Sequence, residues 1–477
     1  MLRPWKMKIQ LDPQSDKAIY LQIADAIIGD IRSGRLMKGT ALPGSRTLAQ
    51  DLGLNRNTIV DALNVLLNEG WLISKERSGT FVADILPIAP KSGRLNMANN
   101  GIEIAKGNYH IHFDDGYPDS RIAPVEELAR AYRHFFNRKA KWQMMGYGSA
   151  LGDLEFREAI GQMLNQYRGM SVDYHSICIT RGSQMAMYLT SQCLFEAGDY
   201  VMVEDPGYKP AWKAIERTGA KLIPIGVDQE GLIIDDVIRY LKAGKKIKAL
   251  YTTPHRQYPT TVTLSLRRRM ELIQLSNAHG FTIIEDDYDN EFHFGYRPVL
   301  PLSSSPELKN YVYIGTMSKV VAPVLRIGYL VSRNKELIDR VESLRKIIDV
   351  QGDVIMEQAV LQLINDGTIR RHLKKASHYY KAKRDYTEAL LDQYLAEWVE
   401  YSIPDGGLAI WITAKEKVDW FKIAEALLAK GIKIVTPDHY SGDQTAKGIR
   451  LGYGALSEEQ LKEGVLALAQ VLTAGRQ

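Results

Sequence analysis

The chain has 477 residues, 45% hydrophobic and 25% charged, the mix of a globular protein long enough for more than one core. No apolar run reaches membrane-spanning length and Met1-Leu2-Arg3-Pro4-Trp5-Lys6 lacks the apolar stretch of a signal peptide, so a cytoplasmic protein with no membrane partner is expected. The net charge is only +5, and residues 1–82 carry 11 Lys and Arg against 8 Asp and Glu, so contact with phosphates is permitted at that end but not demanded. Cys178 and Cys193 are the only cysteines and neither has metal-ligand spacing, so two reduced thiols and no metal are expected.

Residues 12–83 form the first expected domain. Tyr20, Ile23, Ala24, Ile27 and Ile31 recur at helical spacing, and Gly34 ends that helix. Pro43 and Gly44 mark a turn, with Ser45 as N-cap of a short helix that buries Leu48, Ala49 and Leu52 and stops at Gly53. Asn55 caps a third helix whose apolar face is Ile59, Ala62, Leu63, Leu66 and Leu67 and whose other face carries Arg56, Asn57, Asp61 and Asn64. Trp71–Ser74 and Thr80–Val82 flank a polar tip and predict a β-hairpin. A helix that buries one side can offer the other to base edges in a major groove.

This stretch resembles the GntR-type winged helix-turn-helix. The residues that carry the likeness are Leu42-Pro43-Gly44-Ser45-Arg46-Thr47-Leu48-Ala49, Leu52-Gly53-Leu54-Asn55-Arg56-Asn57-Thr58, Gly70 and Gly79-Thr80-Phe81-Val82. The resemblance implies that Arg46, Thr47, Asn55, Arg56, Asn57 and Thr58 face double-stranded DNA at a promoter operator, with Lys75, Arg77 and Gly79 in the wing. Val60 stands in a stretch where such sequences often place a further Arg, so base readout is expected either to be unusual or to rest more on Arg56 and Asn57.

Periodicity fails over 84–108, where Pro87, Pro90, Gly93 and Asn99-Asn100-Gly101 punctuate the chain; this reads as a linker of intermediate stiffness. From 109 to 475 strand-like runs alternate with amphipathic helices: Ile177–Thr180, Tyr200–Val203, Lys248–Tyr251, Thr282–Glu285 and Val312–Gly315. That order predicts an α/β domain, a mainly parallel sheet with helices on both faces, and ligand chemistry at the carboxyl ends of its strands. A large part over about 109–335 and a smaller C-terminal α+β part over about 336–475 are expected.

Four places carry chemistry. Thr180-Arg181-Gly182-Ser183-Gln184 joins a strand to a helix and can present N–H groups to an anion. Glu285-Asp286-Asp287-Tyr288 ends a strand in acids and a phenol; a carboxylate there can keep a pyridine nitrogen protonated. Gly315-Thr316-Met317-Ser318-Lys319, with Arg326 seven positions on, offers an imine-forming amine beside a phosphate ligand. Arg450 sits alone in an apolar run and suits a carboxylate.

In this order, with Asp115-Gly116-Tyr117-Pro118-Asp119, Tyr147-Gly148, Glu204-Asp205-Pro206-Gly207-Tyr208 and Ala322–Tyr329, these pieces resemble the fold-type I aminotransferases from about Ile111 to Ala469. Behind a GntR-type module the whole resembles the MocR/GabR-type transcription regulators. The resemblance implies pyridoxal 5′-phosphate (PLP) on Lys319 as a Schiff base, Asp286 at its pyridine nitrogen and Tyr288 at its phenolic oxygen. It implies phosphate contacts from Gly182, Ser183, Gln184, Thr316, Ser318 and Arg326, stacking by Tyr208, and Tyr147 reaching the partner subunit's cofactor in a homodimer. Arg450 is implied as the clamp on an effector's carboxylate.

Two departures matter. Tyr258-Pro259-Thr260-Thr261 stands where aminotransferases of this type read Asn-Pro-Thr-Gly, so Tyr258 replaces the ring-oxygen contact, and His255 is expected to supply it. Val324 stands where glycine is common. The favoured reading is a PLP-dependent DNA-binding regulator that senses an amino-acid-like or vitamin B6 effector, with at most weak aminotransferase chemistry. The competing reading is an aminotransferase of an amino acid and a 2-oxo acid with an appended DNA-binding module.

Overall fold

A computed structural model describes residues 11–12, 17–75, 79–84, 86, 109–137, 146–295, 299–442 and 446–474. The chain divides into two compact units, Met1–Ala105 and Lys106–Gln477. Nearly all of the expected linker, and Arg77, lie outside the described residues.

The first unit has three helices, α1 (Ile19–Arg32), α2 (Ser45–Leu52) and α3 (Arg56–Asn68), and a hairpin of β1 (Leu72–Lys75) and β2 (Gly79–Val82). Ile23, Ile27, Leu48, Ile59, Leu63, Leu66, Leu72 and Val82 share one core. Gly53 ends α2 at φ +65°, a left-handed conformation that glycine adopts without steric cost. Ser45 is not the N-cap of α2: Gly44 is, in extended conformation, and Ser45 is the first helical residue. Asn55 does cap α3, its side chain accepting from Asn57 N at 2.9 Å. A bridge between Ala41 and Phe81 adds a third short edge to the hairpin.

The second unit opens with β3 (Ile111–Phe113). Eight strands then make its large sheet: β4 (Ile177–Thr180), β5 (Tyr200–Asp205), β6 (Lys221–Asp228), β7 (Gly231–Leu232), β8 (Ile247–Thr252), β9 (Thr282–Asp287), β10 (Tyr311–Thr316) and β11 (Gly328–Val331). Their order is β4-β11-β10-β9-β8-β5-β6-β7. Pairings from β10 through β9, β8 and β5 to β6 are parallel; β11 is antiparallel to both neighbours and β7 to β6. Strand alternation divides the core. Ile179, Met202, Leu250, Ile283 and Tyr313 pack on one face, and Cys178, Val201, Ala249, Ile284 and Val312 on the other. Helices cover both faces, so the middles of the central strands are apolar, with acids gathered at the carboxyl ends of β5 and β9.

The smaller layer contains β12 (Val399–Tyr401), β13 (Ala409–Ala414), β14 (Ile432–Ile434) and β15 (Gly448–Gly452). The expected division at 335/336 is displaced. Leu337, Ile338 and Val341 of the helix Lys335–Ile348 bury against the large sheet, as do Ala359, Val360 and Leu363 of Val354–Asn365. The small core begins within the long helix Thr368–Tyr394 and includes β3, which pairs in parallel with β14. Apolar burial, not chain order, sets that boundary. Among the described residues, no helix is long and apolar enough to cross a membrane.

Candidate functional site

In the first unit Arg46, Thr47, Asn55, Arg56, Asn57, Lys75 and Gly79 are exposed and Thr58 is half-buried. Arg56 Nε donates to Ser45 Oγ at 3.4 Å, so the first turns of α2 and α3 meet at the exposed end of the helix pair. Lys75 Nζ stands 5.0 Å above the Phe81 ring. The free N-terminal turn of α3, with Arg56 and Asn57 on it, is the geometry that lets a helix enter a major groove.

In the second unit a cavity of about 250 Å³ opens where β8, β9 and β10 end. Its wall includes Ser183, Tyr208, Tyr258, Asp286, Tyr288, Thr316, Ser318, Lys319 and Arg326, and also Asp115, Tyr117, Tyr251 and Thr253, to which the sequence reading gave no role. The last residues of parallel strands project beyond the sheet, and that placement is the signal that could have found Tyr251.

One end of the cavity is cationic. Gly182 adopts φ +81° at the N-cap of the helix Ser183–Leu194, and a Cβ there would come 2.5 Å from an Arg326 guanidinium nitrogen. Glycine is therefore required for the guanidinium to cross the helix N-terminus. Arg326 donates to the Arg181 carbonyl at 3.1 Å, and Thr316 Oγ and Ser318 Oγ lie 3.0 Å apart. Gln184 does not join them: it donates to the Pro210 carbonyl at 2.9 Å, away from the cavity.

The middle of the cavity is acidic and aromatic. Asp286 accepts from the Tyr251 hydroxyl at 3.0 Å, while its other oxygen is buried without a hydrogen-bond partner. Burial raises its pKa to about 7, helped by Asp287 and opposed by Tyr251. Lys319 Nζ lies 4.7 Å above the Tyr288 ring and 3.4 Å from Asp289, with no other partner for its protons. Burial lowers the Lys319 pKa against the pull of Asp289. Tyr208 meets Tyr258 edge-on at 5.2 Å.

Two further expected residues, His255 and Arg450, are elsewhere. His255 is not in this cavity: its Nδ1 lies 3.1 Å from Asp287 and its Nε2 meets the Val299 carbonyl, so it is engaged behind the strand ends. Burial would raise the Asp287 pKa, but His255, Arg168 and Tyr313 hold this carboxylate well below the usual range. Tyr147, expected at the partner subunit's cofactor and not at this one, is 90% exposed. Arg450 is fully buried behind Tyr258 and Tyr288, donating to the Asp115 carbonyl at 3.1 Å, the Pro259 carbonyl at 2.9 Å and the Tyr288 hydroxyl at 3.3 Å. Asp289, unremarked in the sequence, is 3.9 Å from it. Thr261 takes φ +65°, which explains why glycine suits this position in aminotransferases.

Residues 115–468 match the family Aminotransferase class I and II. The chain belongs to that family. Its first unit, over residues 19–82, matches the gntR family of bacterial regulatory proteins, so this aminotransferase-family chain carries a GntR-type winged helix ahead of its α/β domain. It is 26% identical to the probable rhizopine catabolism regulatory protein MocR of Rhizobium meliloti, over 97% of this chain and 96% of that one. It is 28% identical to aromatic-amino-acid aminotransferase 1 of Thermococcus litoralis, over 76% of this chain and 88% of that one. Its α/β domain is similar to the solved kynurenine aminotransferase of Pyrococcus horikoshii, with a TM-score of 0.73 at 27% identity, covering 78% of this chain and 92% of that one.

Proposed function

We propose that this chain is a DNA-binding transcription regulator whose aminotransferase-family domain holds PLP and senses a small amine or amino acid. The observation that carries the reading is the coexistence in one chain of a GntR-type helix pair with exposed Arg56 and Asn57 and a cavity still equipped with Lys319, Asp286 and Arg326.

The cavity residues fit PLP. Among the described residues one buried Asp286 oxygen has no hydrogen-bond partner and the buried Lys319 Nζ has only Asp289, at 3.4 Å, the condition expected of groups that await a ligand. Lys319 would hold the aldehyde carbon, and Asp286 would keep the pyridine nitrogen protonated. Gly182, Ser183, Thr316, Ser318 and Arg326 would hold the phosphate, Tyr208 would lie against the ring, and Tyr258 and Tyr288 would flank its phenolic oxygen. PLP so bound supplies an electrophilic carbon for amines and an electron sink. Tyr147 would contribute to the partner subunit's site in a homodimer, as its exposed side chain permits. The chemistry of the site serves binding as well as turnover, and the fused DNA module favours binding. Burial raises the Asp286 pKa to about 7, and a pyridinium nitrogen held beside it would favour its ionised form.

Regulation requires that the effector have unequal affinity for two states of the protein. Selection of sheared genomic fragments by the PLP-loaded protein, followed by footprinting, tests the reading. Protection of a few promoter sites with repeated half-sites is expected. Enrichment of no sequence over random DNA in moderate salt, together with steady turnover of an amino acid and a 2-oxo acid, would replace it with the aminotransferase reading.

A further inference from the structure

The loop that enters the cavity from β3 carries two adjacent acids with different duties. Asp114 is structural: its Oδ1 accepts from Gly116 N at 2.8 Å and Tyr117 N at 2.9 Å and so shapes the turn. Asp115 lines the cavity. Its backbone carbonyl receives Arg450 Nε, which leaves the carboxylate free of that duty. The carboxylate accepts from the Tyr440 hydroxyl at 3.4 Å. The ion pairs at the cavity join Lys319 and Arg450 to Asp289, and among the described residues none includes Asp115.

Charge balance makes this carboxylate conspicuous. The cavity wall holds two acids, Asp115 and Asp286, and two bases, Lys319 and Arg326. With a phosphate at Arg326, an aldehyde at Lys319 and a pyridinium nitrogen at Asp286, Asp115 would be the one acid of the wall without an ion-pair partner in the cavity, its charge otherwise felt by Arg450 behind the wall. Arg450 is committed to three protein oxygens and does not line the cavity. The rings nearest to Asp115 are tyrosines: Tyr117 and Tyr258 in the wall and Tyr440 behind it. Burial raises the pKa of all three hydroxyls and the charge of Asp115 adds to each, so all three stay neutral phenols beside the carboxylate. A carboxylate that lines the cavity, accepts from phenol hydroxyls and joins no ion pair among the described residues can receive an ammonium group as a charge-assisted hydrogen bond.

We propose that the cavity recognises an amine ligand with a second cationic nitrogen, a diamine or a basic amino acid, and that Asp115 is the residue that selects this second cation. The inference rests on the PLP reading, because the cofactor is what consumes the other charges. It names the class of effector, which the family resemblance does not. A ligand whose only other charge is a carboxylate would meet Asp115 with like charge.

The test uses the full-length chain loaded with PLP, whose visible absorption band reports the cofactor. Calorimetric titrations compare 1,4-diaminobutane with butylamine, 1,5-diaminopentane with pentylamine, and lysine with norleucine. A second cation at Asp115 is expected to tighten binding by about tenfold or more in at least one pair. The lysine pair against the diamine pairs distinguishes a basic amino acid from a diamine. In Asp115→Asn the advantage should vanish while the visible band remains, since the turn is held by Asp114 and Arg450 uses only the backbone of residue 115. Equal affinity within every pair for the wild-type protein, or an advantage that survives in Asp115→Asn, would overturn the inference and leave the PLP reading standing. Absence of the visible band would overturn both.

Discussion

Asp289 Oδ1 lies 3.4 Å from Lys319 Nζ, and both groups are buried. The same carboxylate reaches to 3.9 Å from Arg450, so one acid balances the Lys319 amine and the buried guanidinium behind Tyr288. Gly407, at φ +81°, makes room for it: a Cβ there would come 2.6 Å from Asp289 Oδ2.

Asp289→Asn is therefore expected to reduce the proton affinity of Lys319. Burial already lowers that affinity and Asp289 opposes the effect, so losing the carboxylate lets burial act unopposed. In PLP-loaded protein the pH midpoint of the visible band should fall by about one unit or more. A midpoint unchanged in the variant would mean that Asp289 does not balance Lys319.

Arg450→Ala is expected to cost about 3–5 kcal/mol of stability, because a buried acid loses its second cation and two backbone carbonyls lose a donor. Denaturant unfolding followed by fluorescence measures this. A loss below about 1 kcal/mol would show that Arg450 is free to move and is available as a ligand clamp.

The pH dependence of stability has a defined sign at Asp286. Its folded-state pKa is raised to about 7 by burial, above the ordinary value of 3.8, so the folded cofactor-free chain holds a proton that the unfolded chain releases. Stability from this group is present at low pH and is lost as pH rises from about 4 through about 7. Relative to Asp286→Asn, the cofactor-free wild type should lose melting temperature over that window. A constant difference between the two from pH 5 to pH 8 would refute the raised pKa.

Arg56→Ala should weaken binding to the selected operator by about 1–3 kcal/mol and leave the visible band unchanged. Gel-shift titration at fixed salt reads the first and absorbance the second. Loss of both together would indicate misfolding; loss of neither would remove Arg56 from the DNA surface.

Much of the architecture was legible in the sequence because its signals are local. Apolar spacing in Ile59–Leu67, the cap at Asn55 and the strand-like run Thr282–Glu285 depend on neighbours a few positions away. Lys319, Asp286 and Arg326 were legible for the same reason: each follows a strand or a turn whose end is visible in the chain. Three placements were not. His255 turns to Asp287, 32 positions on, and Gln184 to Pro210, contacts that exist only once the strands are ordered side by side. The small core takes β3 from the start of its unit and pairs it with β14, because buried apolar area is collected wherever it lies in the chain.

By itself the sequence determined the two kinds of unit, their element order and the residue types whose chemistry suits an imine, a phosphate and DNA, since these follow from residue type and short-range spacing. Only the tertiary structure decided that Arg450 is enclosed by protein oxygens, that Asp289 balances two cations and that Asp115 lines a cavity while joining no ion pair among the described residues. Those are facts of burial and electrostatics, which act through space between segments far apart in the chain.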